Sequence, residues 1–326
     1  MSKIIRQIVS GERAALAYAI TLVESQSKVK RALATELVEE ATRIKKDSDC
    51  LRVAMTGAPG AGKSCLLEKL GMELLDRDKK VAVLAIDPSS PTTKGSLLGD
   101  KTRMTELSRQ LNAFVRPSPT NGWLGGVTRA TGEATLFCEL AGYDVIFVET
   151  VGVGQSEAAV SHVTDCCTMV LSPNAGDELQ ALKRGVMELC DFFLVNKCDG
   201  DLVPGANRLK SDLLSASKFM AKRRGHWSPV VKCVSAHTGL NVSEYLDELL
   251  EFHRNEKDSG RLDQLRKMQK VEALRQILKE NILENFRNAS AEVCSQVESK
   301  ILDGSLSVSG ASQIVLDDYY SKIHKN

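Results

Sequence analysis

Short apolar runs alternate with longer amphipathic stretches from about residue 52 to residue 235. The runs read VAMT, VAVLAI, AFV, VIFV, TMVLS, FFLV and VVKCV, and each is separated from the next by enough chain for a helix. Apolar runs of this length, rich in β-branched residues, are typical of buried strands. Strands that alternate with helices form βαβ units around a mostly parallel sheet, with helices on both faces. The pattern therefore predicts an α/β fold.

Helical spacing replaces this pattern at both ends of the chain. Apolar residues such as Ile4, Ile8, Leu16 and Ile20 recur at helical intervals near the start. Beyond residue 260 the same spacing marks a long amphipathic helix over 261–286. We therefore predict an N-terminal helical segment at 1–48, an α/β domain at 49–255 and a C-terminal helical segment at 256–326.

Composition argues against several classes of protein. Lys and Arg number 43 and Asp and Glu number 42, so no global charge favours nucleic acid or an anionic membrane. The nine cysteines include no C-x-x-C pair, which indicates reduced thiols in a cytosol-like compartment. The first residues lack a signal-peptide pattern, and Glu12 and Glu24 argue against a transit peptide. We expect a cytoplasmic location.

The stretch GAPGAGKS matches the pattern G-x-x-x-x-G-K-[ST], between a predicted strand at 52–56 and a predicted helix at 64–76. Glycines allow consecutive backbone N–H groups to surround a phosphate at the positive end of the helix. In such a P-loop the lysine reaches the terminal phosphates and the serine hydroxyl binds magnesium. The predicted phosphate-binding residues are Gly57, Ala58, Pro59, Gly60, Ala61, Gly62, Lys63, Ser64 and Cys65.

Two later motifs favour guanine over adenine. The predicted strand at 192–195 is followed by N-K-C-D, whose aspartate can accept hydrogen bonds from both N1–H and the 2-amino group of guanine. Adenine has no 2-amino donor, so the same carboxylate would remain unpaired beside ATP. One strand later, Ser-Ala-His supplies the backbone that typically meets the guanine O6. The predicted base-binding residues are Asn196, Lys197, Asp199, Ser235, Ala236 and His237.

A further glycine-containing turn, ETVG, follows the apolar run VIFV. It stands where GTPases carry D-x-x-G, in which the acid reaches magnesium and the glycine N–H senses the γ-phosphate. Glu149 here replaces the aspartate, and Gly152 is the corresponding glycine. The three motifs in this order predict a P-loop GTPase domain that binds GTP, GDP and Mg²⁺.

Four longer stretches carry a more specific signal. VLAIDPSSPTTKGSLLGDKTRM, GWLGGVTRAT, ETVGVGQSE and GDELQALKRG closely resemble the MeaB/ArgK/MMAA family of P-loop GTPases. This resemblance extends over essentially the whole chain. It implies a GTPase that hydrolyses GTP to GDP. It also implies a chaperone role in cobalamin loading or protection of an adenosylcobalamin-dependent acyl-CoA mutase, chiefly methylmalonyl-CoA mutase.

The resemblance also implies roles for individual residues. Carboxylates matching Asp87, Asp100 and Glu149 surround the magnesium in this family, and Lys183 matches a third switch loop that responds to the partner. With the P-loop, it predicts Ser64, Asp87, Asp100 and Glu149 as metal ligands. It predicts that Lys63, Glu149, Gly152 and Lys183 contribute to hydrolysis. The apolar faces of helix 261–286 exceed what one domain edge needs, and together with the resemblance they suggest a homodimer through the C-terminal segment. The alternative is that this helix packs onto the sheet of its own chain.

Two other functions remain open from the sequence. One is an ATP-dependent kinase linked to arginine and ornithine transport, an older label in this family, against which N-K-x-D argues. The other is a metallochaperone GTPase of the nickel type. The chain has no His-rich tract and no C-x-x-C pair to favour it.

Overall fold

The computed structural model describes residues 2–25, 27–45, 49–88, 104–120, 124–150, 160–173, 184–219 and 223–323. Its strands are β1 (Leu51–Thr56), β2 (Val81–Pro88), β3 (Ala113–Thr120), β4 (Val145–Thr150), β5 (Cys166–Leu171), β6 (Phe192–Val195) and β7 (Val230–Cys233). They form one seven-stranded sheet in the order β3-β2-β4-β1-β5-β6-β7. Each pairing between neighbours is parallel. The predicted α/β class is confirmed.

Helices precede, connect and follow these strands. They are α1 (Lys3–Val9), α2 (Arg13–Val23), α3 (Lys28–Ile44), α4 (Lys63–Asp76), α5 (Thr105–Arg109), α6 (Leu124–Leu140), α7 (Arg184–Met187), α8 (Val203–Ser217), α9 (Val242–Asp258), α10 (Arg261–Leu302) and α11 (Val308–Ile323). A 3-10 turn at Gly200–Leu202 leads into α8. Among the described residues, no helix combines the length and apolar character needed to cross a membrane.

Each face of the sheet has its own apolar core. Side chains alternate along β1, so Ala54 joins one core while Val53 and Met55 join the other. The Ala54 face packs against α1, α2, α3 and α6, and the opposite face packs against α4 and α9. Because both faces are covered, the strands are apolar throughout rather than alternating with polar residues.

The N-terminal helices belong to the first of these cores. Ile5, Ile8 and Leu16 are buried in the same cluster as the strand residues. At the end of α2, Glu24 accepts a hydrogen bond of 2.6 Å from the Ser118 hydroxyl of β3 and forms an ion pair with Arg116. The start of the chain is therefore attached to the sheet by both apolar packing and a half-buried ion pair.

Buried charges lie at the amino end of the sheet, opposite the strand ends that carry the motifs. The Asp165 carboxylate, just before β5, accepts two hydrogen bonds of 2.9 and 2.7 Å from the Arg266 guanidinium on α10. It also accepts the Arg52 backbone N–H at 2.8 Å. Burial raises the pKa of Asp165, but hydrogen bonding to Arg266 and the charges of Arg266 and Arg52 outweigh it, so the pKa lies below its ordinary value. The first turns of α10 are thereby joined to β5.

The chain divides into two compact units, Met1–Lys270 and Val271–Asn326. The second unit consists of the later part of α10 and of α11. Its small core contains Val297, Ala311 and Val315, and the Phe286 and Tyr319 rings meet edge to face with centroids 4.9 Å apart. Two helices alone bury little apolar surface, so several large apolar side chains of this unit stay exposed.

Candidate functional site

The loop between β1 and α4 depends on glycine at three positions. Gly57, Gly60 and Gly62 have φ of +139°, +84° and +88°, a region that side-chain-bearing residues rarely adopt. Gly57 also passes close to β5, because a Cβ on it would lie 2.0 Å from the Val170 carbonyl oxygen. The chain therefore passes close to β5 as it leaves β1, and α4 begins at Lys63.

Lys63 is turned into this loop. Its side chain is nearly buried, and Nζ donates to the Gly57 carbonyl at 2.7 Å and to the Ala58 carbonyl at 3.0 Å. An ammonium group at the first helical position adds a full positive charge to the partial positive charge of the helix N-terminus. This end of α4 is therefore suited to a phosphate.

Ser64 meets a carboxylate from the neighbouring strand. The register pairs Met55 of β1 with Glu149 of β4, which brings Glu149 beside the end of β1. The Ser64 hydroxyl donates a hydrogen bond of 2.9 Å to Glu149 Oε1, and both residues are buried. A buried hydroxyl and a buried carboxylate are hard oxygen donors of the kind that magnesium prefers.

Asn196 links the two halves of the site. Its amide nitrogen donates to the Ala61 carbonyl at 2.9 Å, and its amide oxygen accepts the Ala236 backbone N–H at 3.1 Å. Gly62 must lack a side chain here, since a Cβ would lie 2.5 Å from that amide nitrogen. One buried side chain therefore holds the P-loop against the loops that follow β6 and β7.

Lys197 and Asp199 flank this link. Lys197 has φ of +59°, and its Nζ donates to the Gly60 carbonyl at 2.7 Å, so its stem crosses above the loop. The Asp199 carboxylate accepts a short hydrogen bond from the Ser235 hydroxyl. Ser235 is fully buried, which holds the carboxylate by one oxygen. The remaining acceptor positions of Asp199 suit paired donors such as those of guanine.

The other predicted site residues divide into three groups. Ala58 and Ala61 are buried in the P-loop, while Pro59, Cys65 and His237 are exposed. Asp87 is described only as backbone near the end of β2, in register with Pro119. Asp100, Gly152 and Lys183 lie outside the described residues. In the part of the chain that the structure does describe, no group of three or more His, Cys, Asp or Glu side chains is arranged to hold a metal ion.

Thr238 and Gly239 shape the loop after β7 and were not predicted from the sequence as part of the site. The Thr238 N–H donates to Ser235 Oγ at 3.1 Å, and the Gly239 N–H donates to the Ser235 carbonyl at 2.9 Å. Gly239 has φ of +83°. The Thr-Gly pair between a strand and a helix was the available signal, since such pairs mark turns.

Comparisons with known proteins point to one family. A family model described as methylmalonyl-CoA mutase-associated GTPase MeaB matches residues 16–291. The Mus musculus protein named methylmalonic aciduria type A homolog, mitochondrial, is 43% identical over 325 residues, which cover 97% of this chain and 78% of the mouse protein. The Escherichia coli GTPase ArgK is 43% identical over 286 residues, which cover 88% of this chain and 86% of that protein.

A solved structure agrees with these relatives. The crystal structure of a protein titled LAO/AO transport system kinase superposes with a TM-score of 0.76 at 34% sequence identity. The superposition covers 97% of this chain and 96% of that one. The similarity therefore includes the helices at both ends as well as the sheet.

Proposed function

This chain belongs to the methylmalonyl-CoA mutase-associated GTPase family MeaB and is a GTPase, and on that premise we propose that it is a magnesium-dependent chaperone of methylmalonyl-CoA mutase. In this proposal it hydrolyses GTP to GDP, and the nucleotide cycle controls cobalamin loading or protects the mutase. Two contacts carry the nucleotide chemistry. Ser64 of the P-loop bonds Glu149, and Asn196 joins the P-loop to the loop that holds Ala236.

Guanine is recognised through Asp199. A carboxylate held on one side by the Ser235 hydroxyl keeps acceptor positions for N1–H and the 2-amino group. Lys197, which already bonds the Gly60 carbonyl, lays its stem along the base. Asn196 accepts the backbone N–H of Ala236, and this bond holds the Ala236 backbone next to the base. A base that lacks these donors would leave the Asp199 carboxylate unpaired, which weakens binding of that base.

Magnesium fits the oxygen atoms at the end of β1. Two oxygens that bind one octahedral ion at about 2.1 Å lie about 3 Å apart, and Ser64 Oγ and Glu149 Oε1 are 2.9 Å apart. Ser64 and Glu149 would hold the ion, and we propose Asp87 and Asp100 as further acids of the site. When bound, magnesium neutralises charge on the phosphate oxygens.

Hydrolysis is assisted by charge that the fold places in advance. Lys63 and the N–H groups of the P-loop lie at the positive end of α4, where they would stabilise the negative charge that develops on the departing diphosphate as its bond to the transferred phosphoryl group breaks. We propose that Gly152 senses the γ-phosphate and that Lys183 contributes to hydrolysis when the partner is bound. Lys63→Ala removes the charge and should abolish turnover.

The partner is proposed from family membership and from the names of the relatives. The experiment measures the steady-state GTPase rate with and without purified methylmalonyl-CoA mutase, for the wild type, Lys183→Ala and the inactive control Lys63→Ala. We expect stimulation of the wild type and less stimulation of Lys183→Ala. An unstimulated wild type contradicts this partner, and equal stimulation of Lys183→Ala removes the role of Lys183. Competition by ATP in the same assay tests the kinase alternative.

We also propose that the chain is a homodimer formed through the C-terminal segment. Val271, Leu274, Leu278 and Ile282 of α10 are each more than half exposed in the single chain, and apolar residues at helical spacing favour a helical partner. Leu278→Arg should convert a dimer to a monomer in light scattering, whereas Lys279→Glu, on the next residue, should not. A wild-type monomer contradicts the proposal.

A cytoplasmic location is proposed as well and is tested by cell fractionation.

A further inference from the structure

The loop that carries Ser235 and Ala236 is closed by a residue to which neither the motifs nor the comparisons assign a role. This loop joins β7 to α9 and ends at Asn241, which occupies the position immediately before α9. The Asn241 side-chain amide donates a hydrogen bond of 2.8 Å to the carbonyl of Cys233, the last residue of β7. The bond joins the residue before the loop to the residue that ends it.

The acceptor of this bond faces the open side of the sheet. β7 is the last strand in the described sheet order, and its backbone groups alternate between β6 and the open edge. The Val234 N–H and carbonyl bond towards β6, with the Val195 carbonyl at 2.8 Å and the Cys198 N–H at 3.0 Å. The Cys233 carbonyl therefore points the other way, where the Asn241 amide takes the place that a neighbouring strand would occupy.

The backbone of Asn241 makes this bond possible. Its φ of +54° and ψ of +19° are left-handed, a conformation that asparagine and glycine adopt more readily than other residues. Inside the loop, the Ser235 N–H donates to the Leu240 carbonyl at 3.1 Å. The side-chain bond of Asn241 and this backbone bond together close the loop at its base.

The closed loop determines where Ser235 lies. Its hydroxyl donates to Asp199, and its backbone is held at both ends by loop bonds. If the base of the loop opens, Ser235 loses its position and the Asp199 carboxylate loses the partner that orients it. The hydrogen bonds of Lys63 to Gly57 and Ala58, and of Ser64 to Glu149, are made to residues outside this loop.

We propose that Asn241 is a positioning residue for guanine recognition, an inference that rests on the proposed role of Asp199. It acts through Ser235 on the orientation of the carboxylate, and not by touching the nucleotide. Its loss should reduce discrimination at the 2-amino group of the base more than it reduces binding of the phosphates.

The test compares GDP with inosine diphosphate, which lacks the 2-amino group, by calorimetric titration of the full chain. A charge-assisted hydrogen bond contributes about tenfold or more to affinity, so the wild type should prefer GDP by at least about that ratio. Asn241→Gly keeps the left-handed backbone and removes the amide. Asn241→Asp keeps the shape and replaces the donor with an acceptor. Both should reduce the ratio to about threefold or less.

The matched control is Asp78→Gly, at another left-handed position, φ +57°, in the turn after α4. It should leave the GDP to inosine diphosphate ratio unchanged, and thermal melting of each variant reports folding separately. An unchanged ratio in both Asn241 variants overturns the inference, even if both affinities fall together. If the wild type binds ADP as tightly as GDP, the guanine assignment itself is contradicted, which is a distinguishable failure.

Discussion

The Ser64 hydroxyl and the Glu149 carboxylate are hydrogen-bonded at 2.9 Å although they are 85 residues apart in the chain. Ser64 comes from the first turn of α4, and Glu149 from the end of β4. The contact exists because β4 lies directly beside β1, whose loop leads into α4. It brings the two motifs together at the end of the sheet where parallel α/β folds bind ligands.

Glu149→Gln tests whether this acid serves the metal. The amide still accepts the Ser64 hydroxyl, but it lacks the charge that attracts a divalent cation. We expect the magnesium concentration for half-maximal GTPase activity to rise, and the rate to fall, by about 10- to 100-fold. The measurement is a magnesium titration of the hydrolysis rate. Glu106→Gln, an exposed acid on α5, should behave as wild type, and an unchanged titration for Glu149→Gln would remove this acid from the site.

Asp199→Asn tests the base pocket. The substitution replaces one acceptor with a donor, so GTP binding should weaken by about tenfold or more. Xanthosine triphosphate should bind more tightly to the variant than to the wild type, because its C2 carbonyl can accept a hydrogen bond from the new amide. Calorimetry with both nucleotides measures the exchange of preference. Asp201→Asn, an exposed acid two residues later, is the control, and equal GTP affinity in Asp199→Asn and wild type would contradict the assignment.

Two glycines of the P-loop should respond differently to alanine. Gly60→Ala places a Cβ in open space, so its cost comes only from the left-handed backbone and amounts to about 1–2 kcal/mol. Gly57→Ala adds a contact of 2.0 Å with the Val170 carbonyl, which requires β1 and β5 to separate. Thermal melting without nucleotide should therefore show a clearly larger loss for Gly57→Ala. Equal melting temperatures for the two variants would contradict the close approach of Gly57 to the Val170 carbonyl.

Arg266→Met tests the buried ion pair with Asp165. Removing the partner of a buried charge costs about 3–5 kcal/mol at neutral pH. The folded-state pKa of Asp165 lies below its ordinary value. The pair therefore stabilises the folded state fully at pH values above the ordinary pKa, and this stabilisation is lost as pH falls through the lowered pKa. Urea unfolding at a series of pH values should show the largest difference between wild type and variant near neutrality. The difference should shrink below about pH 4.

The neighbouring pair provides the control for this series. Lys267 bonds Asp263 on the same helix at 2.6 Å, but both side chains are exposed. Lys267→Met should therefore have little effect at any pH, since water screens an exposed pair. A difference between wild type and Arg266→Met that does not depend on pH would indicate lost packing rather than lost charge.

Local signals were sufficient for much of the fold. The apolar run at 192–195 is β6, and the helix predicted at 64–76 is α4 at Lys63–Asp76. Both follow from neighbouring residues, because a buried strand needs a continuous apolar run and the glycine-rich turn sets the start of the helix. The long C-terminal helix was predicted to residue 286, but α10 continues to Leu302. Its later residues Val293, Val297 and Ile301 keep helical spacing and pack against α11, but the small, polar and charged residues at 287–292 separate them from the end of the predicted helix.

The sequence by itself determined the α/β class, the P-loop and the guanine motifs, because each is written in residues that are close together in the chain. The tertiary structure decided which of them meet. The same apolar runs are compatible with many strand orders, and the contact between Glu149 and Ser64 requires an order in which β4 lies directly beside β1. The bond of Asn241 to Cys233 likewise depends on β7 lying at the edge of the sheet. Contacts between distant residues follow from packing, which hydrophobic pattern does not specify.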